Sequence, residues 1–256
     1  MSKIAHSIFL LAHQDDESGC FHLIKNRSLH GDEITIFYLT SGTYDGSDSL
    51  KRNLESVKVL LKLGVQEKNI IFINRNTYSP DGKLPENLNS VFNKIINILK
   101  EKPNIDGLYF MAWEGGHQDH DAAHLIGVAL AKKFNIVKSA YQFPLYTGIG
   151  LRGKFFRLFK PILGNGKPFF LNIPWSDRIK YLNLSLSYPS QIKTWIGLFP
   201  FFFIHYIFFG TQILQPISLF RVRVRPHSGK LFYERKFSYD YKFFKKKTSK
   251  FINRHI

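Results

Sequence analysis

An apolar run followed at once by a histidine and three consecutive acids opens the chain's chemistry: "SIFLLAHQDDESGC" (7–20) carries His13, Asp15, Asp16 and Glu17. A second dense cluster, "GGHQDHDAAH" (115–124), carries His117, Asp119, His120 and His124. Unpaired charge at the end of a buried strand costs several kcal/mol, so the first run calls for a metal, an arginine or plain solvent. His13 and Asp16 lie three apart in one cluster, and His117, Asp119 and His120 lie in the other. Two imidazoles and one carboxylate drawn from two such loops, with one position left for water, describe a catalytic zinc site. Either cluster alone is equally a structural feature; their joint occurrence at two strand ends favours chemistry.

The elements that must hold these loops alternate between strand and helix, the rhythm of a parallel sheet with crossover helices. "SIFLLAH" (7–13), "EITIFYLTSG" (33–42), "NIIFIN" (69–74) and "IDGLYFMAW" (105–113) are predicted strands. Between them lie a short helix closed by Gly31, a helix presenting Leu54, Val57, Leu60 and Leu61 before Gly64, and a third helix ended by Pro103. After the fourth strand, Glu114, Gly115 and Gly116 shape a turn into a helix. In open α/β sheets ligands bind beyond the carboxyl ends of the strands, so both clusters fall where a site belongs.

These residues resemble the PIG-L/LmbE-like zinc-dependent N-deacetylases. The resemblance rests on "AHQDDE" (12–17) and "HQDHDAAH" (117–124), extends to "LTSG" (39–42) and to "RNLE" (52–55) before "LGV", and reaches "YPSQ" (188–191) more loosely. It implies a Rossmann-like three-layer α/β sandwich with a mostly parallel sheet. It also implies hydrolysis of the N-acetyl group of an N-acetylglucosamine-type glycoconjugate, lipid- or diphosphate-linked in envelope glycan synthesis, with release of acetate. The implied metal ligands are His13, Asp16 and His120, holding Zn2+ with Fe2+ as the alternative. Asp15 becomes the general base, His117 the group that polarises the carbonyl and stabilises the oxyanion, and Asp119 its neighbour that orients a histidine. Glu17 is left as an outer acid. The family's motifs have proline where this chain has Gln14 and Gln118, which removes a fixed φ from each loop and adds an amide that could touch substrate. Arg52 is a substrate contact on this comparison, or a solvated ion pair with Glu55 without it. His124, one turn after His120, is a supporting or packing histidine, and "SGTYDGSD" (41–48) is a loop over the sugar or an ordinary loop.

Charge divides the 256 residues unevenly. Residues 1–150 hold 16 basic and 16 acidic side chains, residues 151–256 hold 20 and 3, and the whole excess of +17 lies in the second part. We therefore expect a catalytic α/β metal-binding core over 1–150 and a basic, aromatic part over 151–256 that completes the substrate cleft and touches an anionic membrane. The stretch from Trp195 to Phe220 has no charged residue and is long enough to cross a bilayer. Pro200, Pro216, Gly197, Gly210 and His205 interrupt it, so a monotopic element is expected, with packing over the sheet as the rival assignment. "FRVRVRPHSGKLFYERKF" (220–237) alternates in period two around "PHSG" as a β-hairpin would, and the tail "YKFFKKKTSKFINRHI" is expected to fray. The single cysteine, Cys20, excludes an intramolecular disulfide framework and reads as a packing residue in a reducing compartment. With no small-residue cleavage region after the first apolar run, a cytoplasmic location, peripheral on the cytoplasmic face of the membrane, is expected. Nucleic acid ranks low as a partner because no recognised motif accompanies the basic surface. The rival function from another class is a membrane-surface or nucleic-acid-binding protein that keeps the fold without catalysis.

Overall fold

The computed structural model describes residues 4–44, 49–73, 79–100 and 104–256. Five strands, β1 (His6–Leu11), β2 (Glu33–Tyr38), β3 (Ile70–Phe72), β4 (Gly107–Met111) and β5 (Ala140–Phe143), are joined by α1 (Phe21–Leu29), α2 (Ser49–Lys62), α3 (Leu84–Leu99) and α4 (Gln118–Lys133). All five are parallel and ordered β3-β2-β1-β4-β5. β1 is the centre: it pairs with β2 from His6↔Glu33 to Leu11↔Tyr38, and on its other side with β4 from Ser7↔Gly107 to Leu10↔Phe110. Every residue of β1 and β4 is buried, which is why both read as unbroken apolar runs rather than alternating ones. Right-handed crossovers running outward in opposite directions from β1 put α1 and α2 on one face of the sheet and α3 and α4 on the other.

The strand order reverses between β1 and β4. The loops that follow these two strands therefore diverge over a crevice at the carboxyl edge of the sheet, and they are the loops that carry the two polar clusters.

The second part of the chain begins with a small separate ladder that joins β6 (Tyr146–Thr147) to β7 (Arg157–Leu158). It then adds to the main sheet. β8 (Phe169–Asn172) pairs antiparallel with β9 (Thr211–Pro216), and β9 pairs antiparallel with β5 through Tyr141↔Pro216 and Gln142↔Gln215. The seven-stranded order is β3-β2-β1-β4-β5-β9-β8. Helices α5 (Trp175–Ser185) and α6 (Ile192–Ile204) lie between β8 and β9, and α6 runs on through a wider π turn (His205–Phe209). The chain ends with α7 (Phe232–Lys236) and α8 (Tyr241–His255).

Three expectations are corrected. Residues 220–237 form no hairpin: Arg221–Arg223 is a single 3-10 turn and Phe232–Lys236 a helix. The Arg221 guanidinium donates to the carbonyls of Val224, Arg225 and Pro226, acceptors that a β-ladder would have used. The tail is not frayed but helical, because Phe244, Thr248, Phe251 and Ile252 recur at helical spacing, are buried, and pack α8 onto α3 and α4. Finally, the apolar spacing on α2 marks its inner face only in part: Leu60 is buried and Val57 packs against the core, but Leu54 and Leu61 are exposed, while Arg52, Glu55 and Ser56 are buried beside Val59. That helix gives up apolar contact to deliver polar groups beneath the crevice. Pro103, expected to end α3, lies outside the described residues.

Candidate metal and active site

Both clusters converge on one cavity of about 480 Å³, whose lining includes His13, Asp15, Asp16, Arg52, His117 and His120. His13, at the end of β1, packs its ring 4.8 Å from that of His117 and 5.3 Å from that of His120. Asp16 ties the first loop to the second. Its Oδ2 accepts the His13 backbone N–H at 2.6 Å and lies 3.4 Å from His13 Nδ1, while its Oδ1 lies 3.1 Å from His120 Nε2. Burial of Asp16 works against its ionisation, yet the His120 and His13 rings outweigh it and hold the carboxyl well below the usual carboxylate range.

His117 stands at the N-cap of α4 and accepts the Asp119 backbone N–H through Nδ1 at 3.1 Å. Only its Nε2 is thereby left to face the cavity, where it lies 3.6 Å from Asp81 Oδ1. Burial, reinforced by the neighbouring His13, pushes the His117 pKa down to about 4, so the ring is neutral at neutral pH and Nε2 carries the proton. Asp119 is fully buried and accepts from three donors: Gly82 N–H at 2.6 Å, Leu84 N–H at 3.0 Å, and His13 Nε2 at 3.0 Å. An acid fixed by two backbone amides in this way orients the His13 ring.

Asp15 sits in the left-handed region with φ 115°, a conformation that costs a non-glycine residue about 1–3 kcal/mol. Two partners hold it there. Its backbone N–H donates to Glu17 Oε2 at 3.0 Å, and its Oδ1 receives Arg52 Nη2 at 3.4 Å. Burial pushes the Asp15 pKa up to about 7; Arg52 opposes the rise, and Asp16 and Glu17 add to it. A carboxylate of that basicity is suited to accept and return a proton near neutral pH.

Whether these residues suit a cation is answered by the donors left over. Among the described residues His120 Nδ1 is buried with no hydrogen-bond partner, and Nε2 meets only the Asp16 carboxylate, 3.1 Å away. Donor atoms of His13, His117 and His120 lie within 4.8 Å of one another, as do those of His13, Asp81, His117 and Asp119. A buried imidazole between a second ring and a carboxylate fits a divalent transition ion such as zinc.

Asp81 escaped the sequence reading. It follows a proline and precedes a glycine in "SPDG" (79–82), a pattern that announces a turn and hides the acid within it. Its Oδ1 lies 3.2 Å from His13 Nε2, and although burial opposes ionisation, His13 and His117 hold its pKa well below the usual range.

The residues expected to touch substrate are placed differently. Arg52 lines the cavity, but its guanidinium is engaged by the Gly42 carbonyl, by the Gln14 carbonyl at 2.6 Å and by Asp15. It forms no pair with Glu55, whose carboxylate accepts the backbone N–H and hydroxyl of Ser190 instead. Neither Gln14 nor Gln118 lines the cavity. Gln14 is buried, and its Nε2 donates to Asn53 Oδ1 at 2.7 Å. Gly42 belongs to this arrangement: at φ +70° a side chain is strained, and a Cβ there would lie 2.0 Å from Gln14 Oε1. At Gly116 a Cβ would meet the Tyr146 carbonyl at 2.1 Å, so the second loop also needs a bare backbone. Glu114 anchors that loop by accepting Leu145 N–H and Tyr146 N–H, each at 3.0 Å. His124 stays out of the cavity; it packs between Phe110 and Trp113 with Nδ1 2.9 Å from the Met111 carbonyl. Of 41–48, Gly42, Thr43 and Tyr44 border the cavity, and 45–48 lie outside the described residues.

The C-terminal part supplies one wall. Thr194, Trp195, Leu198 and Phe202 of α6 line the cavity, with Ser190 and Gln191 just before them. Tyr188 joins the two parts by donating its hydroxyl to Glu17 Oε1 at 2.9 Å.

Known proteins resemble this chain in a family pattern and in fold. Residues 8–131 match the PIG-L family, described as GlcNAc-PI de-N-acetylase. No curated protein sequence matches the chain. Among solved structures, a triple mutant of a deacetylase from the teicoplanin biosynthetic pathway is 15% identical, with 84% of this chain and 98% of that one covered at a TM-score of 0.63. The deacetylase of an antimicrobial pseudoaglycone is 14% identical, with 89% and 100% covered at 0.62. The N,N'-diacetylchitobiose deacetylase of Pyrococcus horikoshii is 18% identical, with 87% of each chain covered at 0.54. At these identities the likeness is one of fold.

Proposed function

We propose that this chain, whose residues 8–131 match the PIG-L family, is a metal-dependent hydrolase removing the N-acetyl group of an amino-sugar glycoconjugate. The observation that carries the proposal is the buried His120 ring set between the Asp16 carboxylate and the His13 ring, with a strained and basic Asp15 next in the chain to Asp16. His13, Asp16 and His120 would hold the ion, zinc in preference to ferrous iron.

When bound, the cation supplies an activated water and polarises the acetamide carbonyl. The chain's own groups do the rest. Asp15 takes the proton of the attacking water at its carboxylate and returns it to the departing sugar nitrogen. Arg52 and Glu17 keep that carboxylate aimed by holding its Oδ1 and its backbone N–H. His117, neutral and protonated on Nε2, donates to the oxygen that gains charge as the carbonyl carbon becomes tetrahedral, a contribution of roughly 3–4 kcal/mol where comparable single donors have been removed. Asp119 holds His13 in one orientation. Products are acetate and the free amine.

The relatives of similar fold include a teicoplanin-pathway deacetylase and an N,N'-diacetylchitobiose deacetylase, which supports an N-acetylated sugar as substrate class. The test is acetate release across free, nucleotide-linked and lipid-linked N-acetylhexosamines. At least one should be turned over by the zinc-loaded protein; zinc-loaded, folded protein inert toward every member would overturn the proposal.

A further inference from the structure

The helical stretch Pro189–Phe209 is long and apolar enough to cross a membrane, yet it is held along one side. Trp195, Phe202 and Tyr206 are buried against the domain at intervals of seven and four residues, so this face is committed to protein. The opposite side is equally apolar and open to solvent: Ile196 is 70% exposed, Phe208 72% and Phe209 65%, with Phe203 beside them. Over 21 residues, about 30 Å of helix, the sole charged side chain is Lys193. A helix apolar on both sides with one side uncovered marks an interaction face.

The surroundings select its occupant. Between residues 151 and 209 stand eight basic side chains and one acid, Asp177, which is itself paired with Lys25. The basic residues border the helix. Phe156 packs its ring 5.0 Å from Phe201, which places the segment bearing Arg152, Lys154, Arg157 and Lys160 alongside α6. Across the helix, Arg178 reaches the Tyr206 carbonyl and lies 4.4 Å over the exposed ring of Trp175. Apolar side chains edged by cations match a bilayer with anionic headgroups. Two copies of the same face would instead bring like charges together.

We infer that the outward side of α6 and its π turn seats the protein in the interface of an anionic lipid bilayer, with the helix lying in the plane rather than across it. The inner side of the same helix, through Thr194, Trp195 and Leu198, is a wall of the catalytic cavity. Seating it therefore brings the cavity to the lipid surface and favours amino-sugar substrates carried there, a consequence that rests on the deacetylase reading.

The experiment is flotation of the full chain with phosphatidylcholine vesicles with and without phosphatidylglycerol, beside turnover of a water-soluble N-acetylated sugar. Wild type should float with the anionic vesicles. Ile196→Glu/Phe203→Glu should lower partitioning by about tenfold or more while leaving soluble turnover unchanged. Lys160→Glu/Lys193→Glu, which alters exposed charge alone, should weaken binding to anionic vesicles only, and it decides the matter should the first pair not fold. Absence of flotation, equal flotation of wild type and both variants, or a dimer in light scattering that the glutamate pair dissolves would each overturn the inference. Flotation is read without turnover: vesicle binding by an inactive protein defeats the deacetylase reading alone, and acetate release without vesicle binding defeats this inference alone.

Discussion

The two halves of this chain meet at one cavity but are built on different terms. In residues 1–150 charge is balanced, the strands are continuous apolar runs, and each polar cluster falls where a parallel sheet opens at its strand-order reversal. In residues 151–256 nearly all charge is basic, aromatics are scattered through it, and the backbone alternates short strands with helices, of which α6 keeps an apolar outer face while α8 turns lysines outward. The first half lines the cavity with titratable groups; the second walls it with residues of α6. Side chains that cross the boundary, such as Tyr188 to Glu17 and Ser190 to Glu55, turn two designs into one site.

If the first half alone holds the cation, the largest effect should come from there. His120→Ala should remove the bound metal and reduce acetate release to background, checked by metal analysis and turnover on the same sample; metal retained at full stoichiometry would shift the ligand set to His13, Asp81, His117 and Asp119. Tyr188→Phe comes next, because it cuts the strut between the halves. It leaves the buried Glu17 carboxylate short of one donor, at a cost of about 1–3 kcal/mol, and a melting temperature lower by roughly 2–4 °C per kcal/mol. Since Glu17 also holds the Asp15 backbone, kcat should fall with the melting temperature; a lower melting temperature with unchanged kcat would make the strut purely structural.

Glu55→Ala frees Ser190 at the cavity wall and should raise KM several-fold with little change in kcat, measured on a soluble substrate. The smallest effect is expected from Gln14→Pro, which restores the residue of the related motif. It forfeits the Gln14–Asn53 hydrogen bond, worth about 0.5–1.5 kcal/mol, and offsets part of that by stiffening the loop. Turnover within a few-fold of wild type is the prediction, and loss of activity would make the Gln14 amide part of the substrate contacts.

Legibility followed the same division. Periodicity and motif spacing locate β1, β2, β3, β4 and the helices between them, and pair His13 and Asp16 with His117 and His120 from the sequence alone. Asp81 was missed because its acid sits inside turn chemistry, and the apolar spacing on α2 located only part of its inward face, through Val57 and Leu60, because a helix serving a site also buries Arg52, Glu55 and Ser56. Alternation misled at 220–237, where Arg221 bonds nearby carbonyls instead of facing a partner strand. In the tail, Phe244, Phe251 and Ile252 carried the helical signal but stood among lysines that suggested fraying. β9 depends on long-range pairing to β5, and β8 on pairing to β9, which no local pattern announces.

The central claim, that a cation held by His13, Asp16 and His120 works with Asp15 as the proton carrier, is tested most directly by chelation and reconstitution of wild type beside Asp15→Asn. The account predicts that wild type loses acetate release with its metal and regains it with about one equivalent of zinc. It predicts that Asp15→Asn binds the same equivalent and still turns over roughly 10²–10⁴-fold more slowly. Turnover that survives complete removal of the metal, or an Asp15→Asn variant as fast as wild type, would contradict it.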